Sequence, residues 1–474
     1  MNSSCSRVGD AVIQGLSMLD QHVDSFNVLV SKWIPDIVKQ IGRHEVKMDP
    51  KSTALFECQN VRDMAIPGMS PDECFRKNIT YACQIQMDLK VTSQTISDDG
   101  RLKVVVTEYP NLILCHLPLM VYSARCVLSQ CSTTEGNALL RAGTFITRGK
   151  TRYIPMVTSL VRNFPIRIKQ RGVYIIHVRS QHIDKPHRST STIELQSRRA
   201  GSRATIFNSI VVKVPFLPTL LPLPVLIIAL RGNILDFIMN LRTKTNHEPR
   251  YERYFQTMNI IGGEHDVNTA HEYIGALYPR PVDVEKILDN EILPHVGTKH
   301  QTKIKHLVCY VVDLLKFREG VLQESDRDHP KHMCIRTPGA LLAGLFRVNF
   351  LKYIITAGKM ARRYYQAGNG LNISSCFNHT RLTRRLYTAL ASGSFSKKRL
   401  GVSHSLNTTN LYSIYSQLRR VSSSALNAEG QCRSVREVHT SQYGFLCAAE
   451  TPEGETCGLV QVLALTARVS PTID

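Results

Sequence analysis

The spacing of apolar residues along the chain changes period several times, and each change marks an element. Val12, Leu16, Leu19, Val23, Phe26, Val30 and Trp33 recur at three- and four-residue steps, which predicts one apolar face of a helix or helix pair. From Thr80 to Leu89 the pattern switches to alternation, the period of a half-buried strand. YIPMVTSLVRNFPIRI, GVYIIHVRS and STSTIELQS continue in the β style. Val214 to Leu230 is a proline-interrupted apolar run that reads as buried extended structure, its last part as a strand leading into a helix-like stretch, RGNILDFIMNL. Asp283 to Phe317 predicts two helices with a break at Pro294, and Gly339 to Tyr365 one long helix. On that helix Leu341, Leu345, Val348, Leu351, Ile354 and Ile355 keep one face apolar. Near the C-terminus, Tyr443–Ala448 reads as a short buried strand and Thr451-Pro452-Glu453-Gly454 as a turn. Leu459, Val460, Val462, Leu463 and Leu465 form a second apolar stretch.

Mixed periods over 474 residues predict an α/β mixed, multi-domain (α+β) protein, long enough for about three domains. Apolar content of 43% and charged content of 20% exclude a disordered chain. The charge is +21, from 59 Lys and Arg against 38 Asp and Glu. Nucleic acid is the natural partner for such a charge, with an anionic membrane or an acidic protein as the runner-up. The charge is also clustered. Ten Lys or Arg and one acid lie between Arg381 and Arg436, whereas Glu437 to Glu455 holds four acids and no Lys or Arg. A basic block running into an acidic turn suggests a polyanion track that ends near a metal- or proton-handling site. An ordinary acidic turn between two strands is the plainer reading of the same residues.

Other chemistry is sparse. Thirteen cysteines include no C-x-x-C pair, so a zinc ribbon is not expected; reduced core thiols of a cytosolic or nuclear protein are. His329, His332 and Cys334 read as a polar loop rather than a metal site, and Asp326 to His329 as a self-paired charged turn. The N-terminus lacks the layout of a signal peptide, and no membrane span is expected of the 214–230 run. A Cys/His enzyme would have to use Cys447 and His439. The carboxylate cluster that a two-metal nucleotidyl transfer requires, of the D-x-D-x-D kind, does not occur.

The segment LRRVSSS…EGQCRSVREVHTSQYGFLCAAETPEGETCGLVQVLAL resembles the fork region of the second-largest (β-type) subunit of multisubunit DNA-dependent RNA polymerases. The shared pattern runs through Arg419-Arg420, Gly430, Arg436, His439, Tyr443-Gly444, Cys447, Glu450 to Gly454 and Gly458 to Val460. Ala448 departs from it, standing where the family usually has proline. Upstream, QHVDSFNVLV, the Thr80 strand, GTFITRGK and GALLAGLFR resemble family segments in the same order, from about residue 15 to 470. The resemblance implies a protrusion-like domain over 1–150, a lobe-like domain over 151–325, a return to the protrusion over 326–395 and a fork-like region over 396–474.

The resemblance implies roles as well. Arg419, Arg420, Arg433 and Arg436 would stand near nucleic acid or a nucleotide. His439, Glu450, Thr451, Pro452, Glu453 and Gly454 would support the active site, the two carboxylates orienting the arginines. No residue of this chain is expected to be catalytic or to hold a metal. The Mg²⁺ of the assembled enzyme is expected on the largest subunit, and this chain binds no cofactor alone. The implied partners are DNA, RNA, the largest subunit and, if the subunit is split, a C-terminal β-type chain. The sequence reads as the N-terminal part of such a subunit, through a split gene, a truncation or a pseudogene, and its divergence suggests a viral or otherwise fast-evolving lineage. The implied location is intracellular, nuclear or cytoplasmic, or the virion or viral factory if the lineage is viral. A non-catalytic nucleic-acid-binding or assembly protein derived from a polymerase fragment is the alternative.

Overall fold

The computed structural model describes residues 19–49, 52–64, 69–96, 102–130, 142–182, 191–200, 207–214, 217, 219–263, 265–278, 283–368, 372–395, 402–423 and 434–470. Val12 and Leu16 of the N-terminal stripe lie outside them. The fold is α+β, in two compact units: Met1–Ser159 together with Ile335–Asp474, and the inserted Leu160–Cys334. The inserted unit begins and ends later than 151–325, and the C-terminal region belongs to the first unit instead of standing apart.

In the first unit, Arg43–Asp49, Ser52–Met64, Ala82–Ile96 and Leu102–Pro118 form an antiparallel sheet in sequence order. The alternation that starts at Thr80 becomes its third strand, with Cys83, Ile85, Met87, Leu89 and Val91 buried. Pro338–Gln366, the predicted long helix, packs with this sheet in one core. Its Phe346 stacks on Phe350 at 5.7 Å, while Tyr353 and Phe56 both meet Phe377 edge-on, at 6.0 and 5.4 Å. Each such ring taken out of water stabilises the unit by about 1.5–3 kcal/mol. The helix is long and apolar enough to cross a bilayer by length and composition, yet it is the central core helix of the unit. Its buried face differs from the predicted one. Leu341, Leu345 and Ile354 are buried, but Val348, Leu351 and Ile355 are exposed. The aromatic residues and Ala357 and Ala361 turn the packed stripe away from those three.

The N-terminal helix runs from Asp20 to Val28 and continues through a π turn, Leu29–Trp33, into Ile34–Ile41. Pro35 has no N–H to give the preceding turn, and the widened turn accommodates it. This helix crosses the long one at Gly339, where an added Cβ would lie 2.0 Å from the Ser25 carbonyl oxygen.

The second unit is a five-stranded antiparallel sheet in the order Leu221–Pro222, Phe207–Lys213, Ser191–Ala200, Val173–Ser180, Pro165–Gln170, with helices sharing its core. Within the 214–230 run, Leu223–Ala229 is a fully buried helix, not the extended strand expected. A helix buried on all sides has no polar face, so its sequence shows no 3.6-residue period. Prolines at its N-terminal edge start it. Val284–Asn290 and His300–Arg318 are the two helices expected around Pro294. Lys303 is fully buried and donates to the carbonyls of Leu288 (2.6 Å) and Asp289 (2.7 Å), closing the negative end of the Val284–Asn290 helix. The Asp326–His332 turn pairs with itself: Asp326 accepts from the Asp328 N–H at 2.9 Å, and His332 Nδ1 meets the Asp326 carbonyl.

Candidate functional site

The segment from Leu411 to Val462 is built on a helix, two short strands and a long turn of the first unit. Asn410 caps the helix Leu411–Leu418, its side chain accepting from the Ser413 N–H at 2.6 Å. The strand Arg420–Ser423 follows, running parallel to Met156–Leu160 and antiparallel to Val460–Val462. The strand and its partner thus frame everything between residues 424 and 459, of which 434–459 are described.

Arg419, at the joint between helix and strand, is only 4% exposed. Its guanidinium donates to the main-chain carbonyls of Ala464, Leu465 (3.3 Å) and Ala467 (3.0 Å). Burial and then the charge of Arg468 lower its pKa. Arg419 thus turns inward and staples the segment after the second strand; it presents no open guanidinium to a phosphate. One residue earlier, the Leu418 carbonyl accepts from Nε2 of His22, a fully buried histidine from the N-terminal helix, at 2.6 Å. Burial foremost, and the Arg419 charge, push His22 down to about 4, so the ring is neutral at pH 7.

Arg420 is half-buried and hydrogen-bonds the buried Tyr153 hydroxyl. Arg433 lies outside the described residues, as do Gly430 and Lys397-Lys398-Arg399. Arg436 is half-buried, and its Nη1 donates to the carbonyls of Glu455 (2.7 Å) and Cys457 (2.8 Å). Those carbonyls belong to the Thr451–Gly458 turn, so the cation is fixed by main chain.

The turn is closed by Thr451, whose hydroxyl donates to the Val460 carbonyl and accepts from the Gly458 N–H, both at 2.9 Å. Pro452 enters it through a trans peptide bond, and Gly454 takes φ +79°, as the turn composition predicts. Gly458 takes φ +75° with its Cα against Arg436, where a Cβ would lie 2.4 Å from the Arg436 carbonyl oxygen. Glu450 and Glu453 are exposed. Glu450 accepts from the Ser416 hydroxyl, and neither carboxylate pairs with a described arginine. The expectation that these carboxylates orient the arginines does not hold for Arg419 and Arg436: peptide carbonyls do so, for Arg436 because the turn folds its main chain, not its side chains, onto the guanidinium.

His439 is exposed and caps the Thr440–Gln442 turn, its Nδ1 accepting from the Ser441 N–H at 3.1 Å. Cys447 makes no hydrogen bond to it, which removes the Cys/His pair. Tyr443–Ala448 is not a buried strand. Tyr443 and Phe445 are 66% and 69% exposed, and only Leu446 bridges to Leu463. Gly444 between them has φ +83°, which breaks the regular extended geometry of a strand. Sequence reasoning missed Ser416, Tyr153 and His22, which reach the site through long-range contacts that no local pattern announces. Among the described residues no three His, Cys, Asp or Glu side chains group as metal ligands, and each described cysteine is a free thiol.

Residues 17–384 match the family described as RNA polymerase beta subunit, and residues 404–469 match RNA polymerase Rpb2, domain 3. The chain belongs to the RNA polymerase beta-subunit family. DNA-directed RNA polymerase II subunit RPB2 of Encephalitozoon cuniculi is 28% identical over 84% of this chain and 36% of its own length. Subunit Rpo2 of Saccharolobus solfataricus is 26% identical over 99% of the chain and 42% of its length. Subunit Rpo2N of Methanothermobacter thermautotrophicus is 24% identical over the whole chain and 96% of its own length. The chain thus spans little more than a third of the first of these relatives and nearly all of the last. The Rpb2 domain 3 match, residues 404–469, contains the whole Arg419–Gly458 site.

Proposed function

We propose that this chain supplies the N-terminal part of the second-largest subunit of a DNA-directed RNA polymerase and forms the fork beside its active site. The observation that carries the reading is the lock between Arg436 and the Thr451–Gly458 turn, which gives the family's fork pattern one ordered geometry. A cation held by main-chain carbonyls is placed before any substrate arrives, and such a group works by positioning and electrostatics, not by proton transfer. In this reading Arg420, Arg433 and Arg436 face nucleic acid or the nucleotide. Arg419 acts from beneath as a positioning residue, and His439, Glu450, Thr451, Pro452, Glu453 and Gly454 hold the turn's shape and present its acidic edge.

Nucleotidyl transfer itself would be supplied by Mg²⁺ held on carboxylates of the largest subunit, to which this chain would contribute no ligand. The partners are then DNA, RNA, the largest subunit and the C-terminal β-type portion, on a separate chain or on a continuation of this one, inside the nucleus or the cytoplasm. The exposed side chains of Tyr443, Phe445 and Leu465 support assembly, since aromatic surface of this kind is what a partner covers.

Co-purification tests the reading. Recovery of the chain in equal amounts with a largest subunit and a C-terminal β-type portion is expected. Arg436→Ala should then slow elongation at least about tenfold, the loss of one pre-placed charge contact, while leaving assembly intact. Recovery of the chain alone, or with nucleic acid only, would replace this reading with that of a non-catalytic binding protein.

A further inference from the structure

A second concentration of positive charge lies in the first unit, away from the fork turn. Residues 335–418 contain twelve Lys and Arg and no Asp or Glu. Within that stretch the helices Pro338–Gln366 and His379–Ser392 flank a cleft of about 520 Å³, lined among others by Asn349, Lys352, Arg381, Arg384, Arg385 and Phe395. Arg381, Arg384 and Arg385 are three and four residues apart and share one helix face. On the other helix, Lys352, Lys359 and Arg363 fall along one line, roughly 16 Å from first to last at 1.5 Å per residue. Arg381 is half-buried and the other five are exposed. Among the described residues, none of these six side chains makes an ion pair or a hydrogen bond with another residue.

Four cations on one cleft with no carboxylate among its lining residues repel each other, and a bound anion relieves that repulsion. A single small anion would meet one or two of them. A polymer with successive phosphates meets the cleft and then the line of cations that continues from it. The volume is that of a small-molecule pocket, which admits one strand and not a duplex. Phe395, half-buried among the lining residues, adds a ring on which a base can stack.

We propose that the cleft between these two helices is a second phosphate-binding track, separate from the fork, which holds one strand of nucleic acid. The choice of nucleic acid over an acidic protein rests on the polymerase reading above.

The test is fluorescence anisotropy of a labelled 20-nucleotide single-stranded DNA titrated with the full chain between 50 and 200 mM salt. Arg384→Gln/Arg385→Gln is compared with Lys32→Gln/Lys39→Gln, which removes equal charge from exposed sites on another helix of the same unit. Circular dichroism checks that both variants keep the fold. The cleft variant should bind about tenfold more weakly at 0.1 M salt, and its slope of log K against log salt should be shallower by about 1.4, the share of two phosphates. The control should change less than about twofold. Equal losses in both variants, or none in the cleft variant, would overturn the proposal. So would loss of poly-glutamate binding without loss of DNA binding, which would assign the cleft to an acidic protein. The titration uses the isolated chain, so failure here leaves the co-purification result standing, and the reverse holds equally.

Discussion

At the scale of single residues, the site is governed by groups that satisfy main chain. Gly458 combines a left-handed backbone with contact against the Arg436 carbonyl. Gly458→Ala is expected to open the turn at a local cost of about 1–3 kcal/mol. Faster protease cleavage within 450–458, with the melting of the rest of the unit unchanged, is the readout; unchanged cleavage would refute the lock. Arg419→Gln leaves buried carbonyls short of donors and should lower the stability of the first unit by about 3 kcal/mol, seen as a reduced urea midpoint. Arg419→Lys should not restore it, since the lysine ammonium ends one bond short of the Nη2 that meets all three carbonyls. The turn composition, with Pro452 and Gly454, could be read along the chain because those residues restrict or free their own backbone. The inward turn of Arg419 could not, because it depends on residues 464–467 arriving beneath it.

At the scale of elements, two close approaches set the packing. An alanine at Gly339 would drive its Cβ into Ser25, so Gly339→Ala should force the two helices apart and cost about 1–3 kcal/mol in thermal unfolding of the first unit. In the second unit, burial pushes Lys303 down to about 8, against about 10.4 in an unfolded chain. Between those values the unfolded state binds more protons, so stability rises with pH from about 8 to about 10.4. Lys303→Met should abolish that rise in denaturation curves of the second unit, and a persistent rise would show that another group carries it. The long helix was legible from its period; which of its apolar residues face inward was not, because Val348, Leu351 and Ile355 are as apolar as the buried set.

At the scale of the whole molecule, each unit holds a histidine that stays neutral, fully buried in the first and half-buried in the second. His295, hydrogen-bonded to the Ser180 hydroxyl at 2.7 Å, is pushed down to about 4 by burial and by the nearby His306 and Lys303, much as His22 is in the first unit. Both rings stay neutral when folded and take up a proton when unfolded. Their contribution is therefore full above about pH 6.5 and is lost as pH falls toward 4. Urea midpoints at pH 7, 5.5 and 4.5 should fall in both units. His22→Gln should flatten the fall in the first unit alone, and His295→Gln in the second alone. A fall unchanged by either substitution would refute this assignment.

By itself the sequence determined the mixed α+β character, the long helices and the composition of the Thr451–Gly458 turn, since each depends on neighbours within a few residues. It also carried the family, through an ordered set of residues between Arg419 and Val460. Tertiary structure alone decided the rest. It set the edges of the inserted unit, made a helix of the buried 223–229 run, and aimed Arg419 at carbonyls and Arg436 at the turn. It also brought four cations from two helices around one cleft. Each of these depends on which distant surface a segment meets, and one-dimensional periodicity holds no record of that.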